Sequence, residues 1–172
     1  TCMAKLTKQI DDAVLVARKD TAGARAAFEQ ALARDADYFP AVSALARLDL
    51  AAQQPAAARA RFDTLIQRNP RNAAAYLALA DLDQRAGAGR DAVAATLGAG
   101  IQASPDDASL RLALVSHHLA TANPKAAAAA AQAGLARLPD NPELLARLGQ
   151  AQLQSGDSRQ ALASYGRLVT LQ

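Results

Sequence analysis

The composition of this 172-residue chain excludes several classes of protein at the outset. Hydrophobic residues make up 51% of the chain, which excludes intrinsic disorder, whereas aromatic residues make up only 3% and Trp is absent. Ala and Leu must therefore build the core, and such a core favours closely spaced helices. The 19 basic residues exceed the 16 acidic ones only slightly and are scattered, so we expect no nucleic-acid partner.

The chain has no signature of a disulfide-linked or membrane-inserted protein. Its single cysteine, Cys2, cannot form an internal disulfide or a thiolate metal cluster. No run of 18 apolar residues occurs, and the first residues lack the basic and apolar regions of a signal peptide. We therefore expect no direct membrane insertion by this segment. Both ends are abrupt, so we expect the chain to be a fragment of a longer protein.

Three prolines at a nearly constant spacing divide the chain into repeats. Pro70, Pro105 and Pro139 each end a helical pattern, at spacings of 35 and 34 residues, and each is followed by a polar pair. The segment Asp35-Ala36-Asp37 supplies the same punctuation one period earlier. The predicted repeats form a single array and span residues 5–38, 39–72, 73–107, 108–141 and 142–172.

Each repeat is predicted to hold two helices. The first helices cover residues 41–52, 75–86, 110–121 and 143–155, where leucines recur at helical spacing. A turn with Pro or Gly follows, and the second helix runs to the next proline. The opening helix of the first repeat, Lys5 to Arg18, matches poorly and is interpreted as a cap. The third repeat has one extra residue, which we place between Val93 and Gln102, where Gly98 and Gly100 indicate a bent helix.

The repeats resemble the tetratricopeptide repeat family. The last repeat carries the family's residues at their relative spacings, namely Leu148-Gly149, Gly156-Asp157, Ala161 and Tyr165. The second repeat does so with Leu45-Ala46, Ala58, Phe62 and Pro70. The resemblance implies an all-α fold, a right-handed α-solenoid of about five helix-turn-helix repeats that acts as a protein-interaction scaffold.

Residue size within this pattern predicts how the helices pack. Small residues are expected where paired helices approach closely, at Ala46, Ala58, Ala80, Ala92, Gly149 and Ala161. Aromatic residues are expected to fill the seam to the next repeat, at Phe28, Phe62 and Tyr165. The position of a second family tyrosine departs from the pattern and holds Asp49, Asp83, His118 and Gln152. Scattered arginines such as Arg25, Arg59 and Arg61 are interpreted as part of a solvated outer face.

Three segments are similar to a narrower group, the bacterial tetratricopeptide lipoproteins associated with exopolysaccharide and PEP-CTERM protein-sorting loci. They are residues 24–32 and residues 37–41, together with the short segment 45–48. This resemblance implies a periplasmic or envelope-associated location and a role in an export or sorting machine. A cytoplasmic location stays open.

The residues that could carry catalysis or bind a metal are few and poorly placed. His117 and His118, the only histidines, are adjacent and project about 100° apart on a helix, so they cannot chelate one ion together. No acid is placed to orient an imidazole beside Ser116. The glycines at 87–89 and 98–100 lack the strand and the Lys-Ser/Thr of a phosphate loop. We therefore predict no catalytic residues, no metal site and no cofactor.

The family resemblance also implies where a partner binds, since first helices line the concave face of these proteins. Carried over position by position, the predicted peptide-binding residues are Arg47, Leu50, Leu77, Asp81, Gln84, Leu112, Ser116, Leu119, Gln150 and Leu153. This mixture suits an extended peptide or an amphipathic helix. The positions of the family's basic carboxylate clamp hold mainly small or apolar residues, so we expect no acidic carboxy-terminal ligand. The alternative is that the leucines pack against neighbouring repeats.

Three functions fit these features. The favoured one is a scaffold that binds a protein or peptide partner on its concave face. The second is the repeat region of a larger enzyme, such as a glycosyltransferase, with the catalytic domain outside this chain. The third is a structural array whose concave face binds its own flanking segments. No feature of the sequence specifies an oligomeric state.

Overall fold

The computed structural model describes residues 21–171, which form helices and no strand. The described helices are α1 (Thr21–Arg34), α2 (Phe39–Ala51), α3 (Pro55–Arg68), α4 (Ala73–Arg85), α5 (Arg90–Ala103), α6 (Ala108–Ala120), α7 (Pro124–Arg137), α8 (Pro142–Gln154) and α9 (Ser158–Thr170). The predicted all-α fold of tandem helical repeats is confirmed over this range. Cys2 and the predicted helix from Lys5 to Arg18 lie outside the described residues.

The chain divides into two compact bodies, one ending at Leu79 and the other beginning at Ala80. In the first body, α2 packs against both α1 and α3. In the second body, each helix from α5 to α9 packs against the next along the chain, and α6 also contacts α8. Helices α2, α4, α6 and α8 are the first helices of successive hairpins, and α3, α5, α7 and α9 are the second helices.

An amide or carboxylate side chain begins three of the first helices. Asn72, Asp107 and Asn141 each accept a hydrogen bond from the backbone N–H three residues later, at 2.9 to 3.1 Å. These bonds satisfy N–H groups that the first turn of a helix leaves without a partner. The polar pair after each proline therefore marks a helix start.

The turn inside each hairpin contains one residue in the left-handed region. It is the second residue after the first helix, with φ of 59° at Gln53, 73° at Gly87, 54° at Ala122 and 83° at Gly156. Glycine adopts this conformation freely, whereas a side chain there costs roughly 1–2 kcal/mol. Two of the four hairpins thus carry a strained residue at a position that suits glycine.

The extra residue of the third repeat lies in a turn, so its predicted place between Val93 and Gln102 is wrong. Helix α5 is continuous and has 14 residues, the same length as α3 and α7. The turn before α5 spans residues 86–89, one residue longer than the turns at 52–54 and 121–123. An exposed turn accepts an insertion more readily than a packed helix, because no side chain of the core has to change register.

The position of the extra residue shifts one of the predicted close helix contacts by one residue. Ala58, Ala127 and Ala161 hold the same position in α3, α7 and α9, and all three are fully buried. In α5 that position belongs to Val93, which is also buried, whereas Ala92 is exposed. The prediction for Ala92 is therefore wrong by one residue. The other predicted small residues, Ala46, Ala80 and Gly149, are buried.

The aromatic residues differ in what they contact. Phe28 is buried in a cluster with Leu45 of the next repeat, as expected for a seam residue. Tyr165 packs within its own hairpin, because a Cβ added at Gly149 would lie only 2.6 Å from its Cζ. The ring therefore lies directly against the backbone of α8, and its place in a seam to a further repeat stays a prediction. Phe62 lies 6.4 Å from Phe39 of its own repeat, measured between ring centroids.

Candidate functional site

Five of the predicted binding residues lie on two first helices that contact each other in the second body. They are Leu112, Ser116 and Leu119 on α6, and Gln150 and Leu153 on α8. We call these five residues the first-helix surface. On each helix they follow the spacing of three and four residues that keeps side chains on one face.

The leucines of the first-helix surface are not fully buried. Leu153 is 51% exposed, and Leu112 and Leu119 are half-buried. The latter two also pack against a core cluster that includes Val115, so neighbouring side chains hold them in place. The three leucines therefore form an apolar ridge on helices that are packed in the second body.

Polar groups lie beside this ridge. Gln150 is half-buried, and its Oε1 accepts a hydrogen bond from Nη1 of Arg147 at 3.1 Å. Ser116 is half-buried at the corresponding position of α6. The amide and the hydroxyl can each donate and accept hydrogen bonds, which is what recognition of a peptide backbone requires.

The remaining predicted binding residues lie on α2 and α4. Arg47 is exposed, and its Nη2 donates to Oγ of Ser43 at 3.2 Å. Asp81 is exposed and forms an ion pair with Arg85 at 2.8 Å, one helical turn later. Gln84 is also exposed, and Leu50 and Leu77 are half-buried. The position of these five residues as part of the binding site stays a prediction.

A buried carboxylate joins three helices in the first body. Asp49 of α2 is buried, with Nη2 of Arg25 (α1) 2.8 Å from Oδ1 and Nε of Arg61 (α3) 2.5 Å from Oδ2. Burial raises the pKa of the Asp49 carboxyl, but the hydrogen bonds and charges of Arg61 and Arg25 outweigh it, so the net pKa lies below its usual value. Assigning Arg25 and Arg61 to a solvated outer face is therefore wrong.

The positions that Asp49 and Arg61 hold in their hairpin also carry polar contacts in two other hairpins. Thr96 donates to Oδ2 of Asp83 at 3.0 Å, and Ser164 donates to Oε1 of Gln152 at 2.7 Å. Asp49, Asp83 and Gln152 occupy one position of the first helices, the position noted in the sequence as a departure from the family tyrosine. The departure was visible in the sequence, but its role as a link between paired helices was missed.

His118 holds this position in α6. The pKa of His118 is lowered, first by burial and then by the neighbouring charge of His117, while Asp91 opposes the shift. His117 is itself buried, and its Nε2 lies 2.8 Å from the backbone oxygen of Arg90. His117 thus contacts the start of α5 in the preceding repeat.

A buried arginine was also missed. Arg111 of α6 is buried, and its Nε and Nη2 donate to the backbone oxygen of Pro105 at 2.8 and 2.6 Å. It fixes the connector before α6, which is a structural role. Across residues 21–171, no group of three or more His, Cys, Asp or Glu side chains could hold a metal ion. Over the same range, no helix has both the length and the apolarity needed to span a membrane.

One pocket of the first body lies away from the predicted site. It has a volume of about 480 Å³ and lies between α1 and α3, with Leu32, Thr64 and Arg68 among its lining residues. The predicted binding residues of this body are on α2 and α4. The pocket is therefore separate from the predicted binding residues.

These helices have the fold of tetratricopeptide repeat proteins. Residues 15–82 match the family model described as "Tetratricopeptide repeat". No curated protein matches the chain. The structural similarity to solved proteins extends over nearly the whole chain.

Three solved structures illustrate this similarity. The crystal structure of MamA protein shares 17% identity, with a TM-score of 0.63, 96% of this chain covered and 91% of that chain covered. TTC0263, a thermophilic tetratricopeptide protein from Thermus thermophilus, shares 24% identity at a TM-score of 0.58, with the same coverage of 96% and 91%. YrrB, described as a tetratricopeptide protein with an unusual peptide-binding site, shares 14% identity at a TM-score of 0.58, with 95% and 84% covered.

Proposed function

We propose that this chain is a non-catalytic scaffold that binds a segment of a partner protein on its first-helix surface. The observation that carries the proposal is Leu153, a leucine 51% exposed on α8, together with the half-buried Leu112 and Leu119 on α6, the first helix that contacts α8. A peptide that covers this ridge removes apolar area from water without any rearrangement of the helices.

The mixture of side chains indicates the chemistry of the partner. Apolar side chains spaced along an extended peptide or along one face of a helix would cover the leucines. The partner's backbone or polar groups would bond to Ser116 and Gln150. The peptide-binding site named for YrrB supports this interpretation by structural analogy alone.

A crosslinking experiment tests the proposal even though the partner has not been identified. A photoreactive amino acid at position 153 should capture a partner in the native cell, and the captured protein can then be purified. In a pull-down of that protein by the chain without the photoreactive residue, Leu153→Glu should reduce recovery at least about tenfold, because a charge would be buried against an apolar segment.

The matched control is Leu162→Glu, which alters another exposed leucine, on α9. It should leave recovery of that protein in the same pull-down unchanged. If Leu162→Glu abolishes recovery and Leu153→Glu does not, the partner binds elsewhere and the first-helix surface is not the site.

We further propose that the scaffold works in the bacterial envelope, in exopolysaccharide export or protein sorting. The support is the similarity of residues 24–32, 37–41 and 45–48 to the lipoprotein group described above. Fractionation of cells that express the tagged native gene tests it. Recovery with envelope or periplasmic markers is expected, and recovery only with cytoplasmic markers would contradict the proposal.

A further inference from the structure

The pocket between α1 and α3 in the first body is a groove with an apolar floor. The floor consists of Leu32 of α1, Val42 of α2 and Leu65 of α3. Val42 and Leu65 are 4% and 2% exposed, and Leu32 is half-buried. Helices α1 and α3 each pack against α2, so three consecutive helices of one body form the two sides and the floor.

The groove follows its two sides for about two helical turns. Its lining runs from Glu29 to Ala36 along α1 and the start of the connector, and from Ala60 to Arg68 along α3. Seven or eight residues of helix extend about 10–12 Å. With a volume of about 480 Å³, the groove can take the apolar side chains that one face of a helix projects over this length.

The two sides of the groove carry opposite charges. On the α3 side, Arg61 and Arg68 line the groove seven residues apart, so they lie on one face of the helix. Arg61 contacts Asp49 through Nε, and Nε of Arg68 lies 3.2 Å from Oδ1 of Asp37. These contacts leave the terminal amino groups of both arginines for a further carboxylate. On the α1 side, the lining includes the exposed carboxylate of Glu29.

This floor suits a helix better than an extended peptide. An extended peptide would place its backbone N–H and C=O groups over leucine and valine side chains, which cannot form hydrogen bonds with them. The hydroxyl of Thr64, which also lines the groove, already donates to the backbone oxygen of Ala60 at 2.8 Å. An α-helix bonds its own backbone groups and needs only an apolar face to fill the groove.

We propose that this groove binds an amphipathic α-helix of a partner protein. The apolar stripe of that helix lies on the floor. Two acidic residues seven positions apart flank the stripe and pair with Arg61 and Arg68. A basic residue on the opposite flank pairs with Glu29, in the way that charged flanks select partners in coiled coils. This interaction is independent of the first-helix surface.

Three synthetic helical peptides with blocked ends test the proposal on the full chain. They share one leucine stripe and differ only in their flanks. The mixed peptide has glutamate on one flank and lysine on the other, the acidic peptide has glutamate on both, and the basic peptide has lysine on both.

The affinities of the three peptides can be measured by NMR titration. The native chain should bind the mixed peptide about fivefold more tightly than the acidic peptide, which places a carboxylate opposite Glu29. It should bind the mixed peptide more than about tenfold more tightly than the basic peptide, which places lysines opposite both arginines. Glu29→Lys should make the acidic peptide the tightest ligand.

Controls separate this groove from the rest of the molecule. Ala33→Phe combined with Ala60→Phe should fill the groove and abolish binding of all three peptides. The helical content should not change, since both alanines are exposed. Leu153→Glu, in the second body, should leave binding unchanged.

Four results would overturn the proposal. The first is no binding of any of the peptides with a Kd below about 1 mM, and the second is an order of affinities that Glu29→Lys does not change. The third is binding that survives the filled groove. The fourth is a groove already occupied in the free protein by a second copy or by another segment of the chain. In a Cys2→Ser background, a thiol introduced by Ala60→Cys would then be labelled much more slowly than one introduced by Ala163→Cys.

Discussion

Replacing Asp49 with alanine should destabilise the first body substantially. The substitution removes the shared partner of Arg25 and Arg61, whose side chains remain 34% and 27% exposed. Breaking a fully buried ion pair costs about 3–5 kcal/mol, and partial hydration of the two guanidinium groups reduces this, so we expect a loss of about 2–3 kcal/mol. Asp81→Ala is the matched control, because Asp81 and its partner Arg85 are both mostly exposed, and its effect should stay within about 0.5 kcal/mol.

Urea denaturation followed by circular dichroism measures both losses as changes in the free energy of unfolding. A double-mutant cycle with Arg61→Ala then isolates the contact between the two side chains, and a coupling energy of about 1–2 kcal/mol is expected. A loss below about 0.5 kcal/mol for Asp49→Ala at neutral pH would refute the reasoning.

The pH dependence gives an independent check. The pKa of Asp49 is lowered in the folded chain, so its contribution to stability is fully present above its pKa in the unfolded chain, about 3.9. The contribution is lost as the pH falls through that value and then through the folded pKa. The stability difference between the native chain and Asp49→Ala should therefore be constant from about pH 5 to 7 and shrink below about pH 4. A difference that grows with acid would contradict this sign.

Two further substitutions test the packing and the turns. Ala161→Leu should lower the free energy of unfolding by about 1–3 kcal/mol, because Ala161 is fully buried between α8 and α9. Ala163→Leu, at an exposed position of the same helix, should have little effect. Equal losses in urea denaturation would show that the helix contact is misassigned. Ala122→Gly should raise the free energy of unfolding by about 0.5–1 kcal/mol, since φ at Ala122 is 54°, and a lower melting temperature for this variant would show that the turn is not strained.

The fold could be predicted because its signals are local. A proline with a polar pair recurs at nearly constant spacing, and the second member of the pair is the cap that starts the next helix, as Asn72 and Asn141 show. Each such signal needs only residues within one turn of the chain. The extra residue was misplaced because Gly98 and Gly100 suggested a bent helix, whereas the sequence of the turn at 86–89 did not show that it holds an additional residue.

The polar links and the exposure of the binding leucines depend on tertiary contacts. Asp49 and Arg61 are 12 residues apart on paired helices, and nothing within either helix shows that they meet. A signal existed, since the pairs Asp83 with Thr96 and Gln152 with Ser164 stand at the corresponding positions. Comparing those two positions across the repeats would have revealed the link. The exposure of Leu153 could not be read in this way, because it depends on what lies beside α8.

The close contact between Gly134 of α7 and Leu144 of α8, where an added Cβ would lie 3.0 Å from Cδ1 of the leucine, limits how an array of this kind can evolve. Duplication of a whole hairpin is the simplest way for a repeat protein to lengthen, and it places an old seam residue beside a new neighbour. A hairpin that begins like α8, with Leu144, fits after the glycine of α7 but would clash if copied to a place after Leu65. The hairpins are therefore not interchangeable. Their order along the chain depends on the sizes of the two residues, one from each hairpin, that meet at a junction.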